Sequence, residues 1–154
     1  MCRETGARWQ TIYELVVAGN TTMRELFFGR DVQSVGQKPY KADIENEVLA
    51  GDRRSTTRIE PARSLNIRAN KNARVFGVPL IASHLGGDVA ADLVAIDLPA
   101  VTETVMLVDA GTNTEVVLSH QGRIVAASCP AGPAFEGGLV QFGMPGCDGA
   151  IESV

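Results

Sequence analysis

The chain has 154 residues, 45% hydrophobic and 21% charged, a globular composition long enough for one ordinary domain, which excludes wholesale disorder. Its apolar stretches fall far short of the roughly 20 residues that span a bilayer, and residues 1–10 are polar with no apolar core behind them, so neither a membrane helix nor a signal peptide is expected and a cytoplasmic protein is the default. The net charge of −4 is uneven: residues 1–72 carry twelve Lys/Arg against nine Asp/Glu, residues 73–154 two against nine. So acidic a half is a poor polyanion surface, and nucleic-acid binding is not expected.

In chain order, residues 12–18 (IYELVVA) read as a strand that delivers Gly19, Asn20, Thr21 and Thr22 to its end. Asn20 or Thr21 is a good N-cap for a short helix over 23–28, which Gly29 stops. Residues 31–72 are charged and weakly periodic and read as a long connection or a small peripheral element. Their arginines, Arg53, Arg54, Arg58 and Arg63, read as a solvated face, with a partner-docking surface as the alternative. Residues 74–82 (RVFGVPLIA) read as a strand, with Pro79 implying an edge or a bend. Residues 84–88 form a turn with a cap at Asp88, leading into a buried helix over 89–96. His84 reads as a turn residue rather than a ligand.

The next segment is the most regular. Residues 104–108, 115–119 and 123–128 predict a three-stranded antiparallel meander, with the loop 109–114 (DAGTNT) and the turn 120–122 between its strands. Residues 131–138 (AGPAFEGG) then lead into a short apolar run over 139–142. Cys2, Cys129 and Cys147 lack metal-type spacing and read as free thiols in a reducing compartment, with Cys129 in the core. His84 and His120, isolated from one another, add no plausible zinc site.

The loop 109–114 suits phosphate chemistry. Gly111 allows positive φ and close backbone approach. The amides of Gly111, Thr112 and Asn113 can form a nest for phosphate oxygens, with the Thr112 and Thr114 hydroxyls as further donors. Asp109, at the strand end, is placed to hold a hydrated Mg2+, and Glu115 to assist that ion or orient water. In a half nearly devoid of Lys and Arg, the metal would supply the missing positive charge. An ordinary hairpin remains the alternative, because Asp, Gly, Asn and Thr are turn residues in their own right. Two further strand ends, VVAGNTTM and CPAGPAFEGG, have the same form and strengthen the phosphate reading.

Taken together, VVAGNTTM…LFFG, ARVFGVPLIASHLGGDVAADLVAI, VMLVDAGTNTEVVL and ASCPAGPAFEGG…GAIE resemble the C-terminal ASKHA-type ATPase region of the reductive activators of corrinoid proteins. The resemblance runs from about residue 12 to 154 and is weakest over 31–72. It implies an α/β, actin-like (ribonuclease-H-like) fold, present in part. It also implies an ATP- and Mg2+-dependent protein that helps return an inactivated cob(II)alamin to the cob(I) state, using an electron from a ferredoxin-like 2Fe-2S domain. Under it, residues 109–115 match the second phosphate-binding loop, with Asp109 and Glu115 as catalytic candidates and Asp109 as the metal anchor. Asn20, Thr21 and Thr22 lie near the nucleotide cleft, and Gly132 and Glu136 open the helix after the third strand. The implied partner is a corrinoid protein or corrinoid-dependent methyltransferase, with a homodimer possible.

An actin-like ATPase has two duplicated halves, each opening with a meander. Here one meander, at 104–128, follows what resembles the tail of the other half. The expected division is therefore 1–98, the end of a first subdomain, and 99–154, the start of a second. The first phosphate loop, the cluster cysteines and the adenosine-binding segment are not found, so a slice of a longer protein is expected. A non-catalytic docking or dimerisation module, or part of another actin-like phosphotransferase, are the alternatives.

Overall fold

The computed structural model describes residues 2–111 and 113–130. Thr112, Gly132, Glu136, Cys147, the run 131–138 and the apolar run 139–142 lie outside the described residues. The chain divides into two compact units, Met1–Ile96 and Asp97–Val154.

In the first unit a one-turn helix, α1 (Cys2–Thr5), precedes the strand β1 (Glu14–Val17). Helix α2 (Thr21–Phe27) begins where expected: Asn20 Oδ1 accepts the Met23 N–H at 2.9 Å, satisfying one orphan donor of the first turn. It ends at Gly29, whose φ is +66°. The Gly29 N–H donates to Leu26 O and the Arg30 N–H to Glu25 O, both at 2.9 Å, a Schellman closure that needs the left-handed residue glycine supplies.

The segment 31–72 is more structured than its composition suggests. It contributes α3 (Asp43–Leu49) and β2 (Arg58–Pro61). Helix α3 is anchored at its start by Glu45, whose carboxylate accepts the Ala42 N–H at 2.9 Å and the Ser83 hydroxyl at 2.8 Å. Strand β2 pairs antiparallel with β3 (Arg74–Gly77), and β3 pairs parallel with β1, giving the order β1-β3-β2. The peripheral reading of 31–72 is thus corrected, because one of its strands completes the sheet.

The edge alternative for Pro79 is corrected too. Strand β3 is central and stops at Gly77, so the proline falls beyond the ladder and costs it no hydrogen bond. Val75, fully buried, packs with Phe28, Ala62, Ala69 and Ala73. Gly77 is required beside the Phe28 ring, where a Cβ would lie 2.6 Å from Phe28 Cε2.

Helix α4 (Gly87–Ala95) starts ahead of the expected Asp88 cap. Its first two amides are satisfied by backbone, Gly87 and Asp88 N–H both donating to Gly19 O at 3.0 and 3.2 Å, and the third, Val89 N–H, donates to Asp88 Oδ1 at 2.9 Å. It is also not the wholly buried helix expected. Val89 is fully buried, whereas Val94 is 78% exposed.

The second unit carries the meander. Strands β4 (Val105–Ala110), β5 (Asn113–His120) and β6 (Arg123–Pro130) pair antiparallel in the order β4-β5-β6. Gln121 and Gly122 join β5 to β6, both at positive φ, as a tight primed hairpin turn demands. The α/β class and the meander are as expected.

Candidate functional site

The expected loop 109–114 contracts sharply. Asp109 and Ala110 belong to β4, Asn113 and Thr114 to β5, leaving positions 111 and 112 between the strands. Strand alternation then sorts the candidates by face. Asp109 stands directly opposite Glu115, and Glu115 directly opposite Ser128 on β6, so three side chains form one row across the sheet. Asn113 shares the face of Glu115, and Thr114 lies on the other.

The electrostatics of that row are specific. Glu115 is 7% exposed, and its Oε1 accepts the Ser128 hydroxyl at 2.9 Å. Among the described residues, neither Glu115 Oε2 nor the Asp109 carboxylate has a hydrogen-bond or ion-pair partner. Two like charges directly opposed on a ladder repel. A divalent cation with carboxylate ligands relieves that repulsion, and Mg2+ takes one or two carboxylates and keeps waters elsewhere. Asp109 and Glu115 fit such an ion. Among the described residues no group of three or more His, Cys, Asp or Glu gathers for a metal.

The phosphate nest is corrected in one respect. The Gly111 N–H donates to Asn113 O at 2.9 Å, so that amide closes the hairpin instead of facing outward. Gly111 is not among the positive-φ glycines either. The Asn113 side-chain carboxamide and the Thr114 hydroxyl are without hydrogen bonds among the described residues. Cys129, opposite Thr114, is exposed, with its thiol donating to Thr114 O at 3.3 Å. The core expectation for it is overturned because β6 is an outer strand.

Asn20, Thr21 and Thr22 belong to the first unit, where the end of β1 meets the starts of α2 and α4. A Cβ at Gly86 would lie 2.6 Å from Asn20 Cα, so this junction is packed backbone on backbone. Asn20 is committed to capping α2. Thr21 is 3% exposed, and its hydroxyl has no hydrogen-bond partner among the described residues. Thr22 is exposed. A cleft of about 380 Å³ in this unit, walled by Val48, Leu49, Pro79, Leu80 and Ile81, holds none of the candidates. His84 is exposed beside Tyr40, and His120 Nδ1 lies 2.6 Å from the Thr104 hydroxyl.

Sequence reasoning missed a buried charge network. Arg24 and Glu25 of α2 are each 1% exposed and Arg58 of β2 is 8% exposed. Glu25 accepts from Arg24 Nη2 at 2.6 Å and from Arg58 Nη2 at 2.5 Å. Arg24 Nη1 also donates to Thr56 O and Val78 O. Burial pushes the Glu25 carboxyl upward, but hydrogen bonds from Arg58 and Arg24, and their charges, overcome this and hold it below the usual carboxylate value. Burial lowers the Arg24 pKa, against the opposing pull of Glu25. Arg58 is therefore not part of a solvated face; Arg53, Arg54 and Arg63 are exposed. Neighbouring opposite charges in TTMRELF were the available signal, but the partner strand lies far away in sequence.

Among the described residues no helix is long and apolar enough to cross a membrane.

Comparisons with known proteins agree along the whole chain. Residues 1–100 match the model of the RACo middle region, and residues 103–154 match that of the C-terminal domain of RACo, the ASKHA domain. The chain is 27% identical over 154 residues to the corrinoid activation enzyme RamQ of Eubacterium limosum, covering 100% of this chain and 24% of that protein. It is 28% identical over 142 residues to the Co(II) methylated amine-specific corrinoid protein reductase of Methanosarcina barkeri, covering 91% and 26%. Among solved structures it is similar to a reductive activator for a corrinoid, iron-sulfur protein. That match has a TM-score of 0.73 and 33% identity, and covers 93% of this chain and 21% of the other. The chain thus spans about a quarter of the length of the curated relatives it matches.

Proposed function

The chain belongs to the RACo family, and on that premise we propose that it forms part of the ATP- and Mg2+-binding site of a protein that reductively activates a corrinoid protein. The observation that carries the proposal is the pair Asp109 and Glu115, opposed on adjacent strands beside Gly111 and left without a cation among the described residues. Asp109 holds the metal. Glu115 shares it or orients the attacking water. Asn113, on the face of Glu115, and Thr112 offer donors to phosphate oxygens, whereas Thr114 lies on the opposite face and drops out of the set. Bound Mg2+ would supply positive charge against the phosphates, which this acidic half of the chain otherwise lacks.

Asn20, Thr21, Thr22, Gly132 and Glu136 are assigned to nucleotide binding by the family resemblance, and the Thr21 hydroxyl, unpartnered among the described residues, supports a polar ligand at the end of β1. Residues 1–98 are the end of one actin-like subdomain and residues 99–154 the start of another, a division that falls within two residues of the boundary between the compact units. The 2Fe-2S cluster that supplies the electron belongs to a ferredoxin-like domain of the longer protein, which works in the cytoplasm, and the partner is a corrinoid protein or corrinoid-dependent methyltransferase. The relatives' names, corrinoid activation enzyme and corrinoid protein reductase, support that partner class. Calorimetric titration with ATP, with and without Mg2+, tests the reading. Magnesium-dependent binding is expected; binding indifferent to Mg2+ overturns the role of the carboxylate pair.

A further inference from the structure

The row Asp109–Glu115–Ser128 contains one member that the phosphate-loop pattern does not include. Ser128 lies on β6, opposite Glu115, as Asp109 does on β4. Its hydroxyl donates to Glu115 Oε1 at 2.9 Å, and Glu115 is 7% exposed. A glutamate side chain has several rotatable bonds and loses freedom when ordered. A fixed donor on one oxygen holds the carboxylate in a single setting and leaves the other oxygen as the open one. Asp109 has no such donor among the described residues. The pair is thus asymmetric: one carboxylate is held by a hydroxyl, the other is free to adjust.

We infer that Ser128 is the positioning residue of this cation site, committing Glu115 Oε1 so that Oε2 is presented to a divalent ion shared with Asp109. The inference rests on the proposed site. It extends that site to a third strand and to a residue that touches neither nucleotide nor metal. Hydrogen-bonded support of a ligating carboxylate is typically worth about ten- to a hundredfold in metal affinity. Threonine at this position keeps the hydroxyl, and the small side chain of alanine removes it without crowding the sheet.

The test is Mn2+ binding to the protein without nucleotide, followed by the electron-paramagnetic-resonance signal of the free ion. Wild type, Asp109→Asn, Ser128→Ala and Ser128→Thr are compared, with a melting curve for each. The expected result is about a ten- to hundredfold loss of Mn2+ affinity in Ser128→Ala, recovery in Ser128→Thr, and loss in Asp109→Asn. Wild-type affinity in Ser128→Ala, while Asp109→Asn still loses the ion, overturns the inference and leaves the site standing. A lowered melting point in Ser128→Ala with unchanged Mn2+ affinity makes the serine purely structural and also overturns it. Equal Mn2+ affinity in wild type and Asp109→Asn overturns the site itself, and the inference with it.

Discussion

Glu25 and Arg58 are joined side chain to side chain across 33 positions of sequence, by three hydrogen bonds of 3.1, 3.0 and 2.5 Å in a buried setting. The pair ties helix α2 to strand β2, and Arg24 closes it from the other side. Removing Arg58 leaves Glu25 paired with Arg24 alone and strips the carboxylate of its charge-assisted hydrogen bonds to Arg58, which costs about 1.5–3 kcal/mol. Arg58→Ala is therefore expected to destabilise the first unit by that amount, whereas Arg63→Ala, at an exposed position, stays within about 0.5 kcal/mol. Trp9, the only tryptophan, lies in this unit with Arg68 stacked 4.6 Å from its ring centroid. Urea unfolding followed by its fluorescence reports the difference.

The same network sets an acid limit. The Glu25 carboxyl titrates below its usual value in the folded chain, against about 4.3 when unfolded. A depressed folded value means the unfolded state takes up the proton first as pH falls. The stabilisation is thus complete above the unfolded value and drains away as pH drops toward the folded one. The stability gap between wild type and Glu25→Gln should be constant from about pH 8 to 5 and shrink below about pH 4.3. A gap that ignores pH contradicts this.

Gly86 is the tightest backbone approach in the first unit. A Cβ there would lie 2.6 Å from Asn20 Cα and 2.9 Å from Gly19 O, and backbone cannot swing away as a side chain can. Gly86→Ala is expected to cost about 1–3 kcal/mol. Gly36→Ala meets nothing within 4 Å among the described residues and should leave the melting temperature essentially unchanged.

Gly111 is the opposite case. Among the described residues, a Cβ there meets only Asn113 O, at an ordinary 3.5 Å. Gly111→Val should keep a wild-type melting curve, yet weaken nucleotide binding by crowding the approach to the hairpin. Equal ATP affinity in that variant removes the hairpin from the phosphate site.

Much of the fold was legible because its signals are local. Asn20 as a cap, Gly29 as a stop and the meander with its Gln121–Gly122 turn all follow from side-chain chemistry within a few positions. What was hidden depends on distant partners. Strand β2 reads RIEP, two charges and a proline, and becomes a strand only because β3 lies beside it. Helix α2 turns Arg24 and Glu25 inward while Met23 is 62% and Leu26 54% exposed, an inversion that makes sense only with Arg58 in place. At the site, Asp109 and Glu115 were visible as residue types in a glycine-centred motif. Their opposition across the ladder, the engaged Gly111 amide and the bond to Ser128 were not, because turn-forming residues give no sign of how far a ladder continues into a loop. Cys129 follows an apolar run, and its exposure is set by the outer position of β6.

The central claim is that Asp109 anchors a magnesium ion for ATP. Its most direct test is calorimetric titration of ATP in excess Mg2+ into wild type and Asp109→Asn. The substitution preserves side-chain size and removes the charge opposed to Glu115, so the fold should be retained or slightly stabilised. The account predicts that wild type binds ATP at least about tenfold more tightly than Asp109→Asn, a difference of about 1.4 kcal/mol, and that chelating Mg2+ abolishes this difference. Equal affinity for ATP in the two proteins, with Mg2+ present, would contradict it.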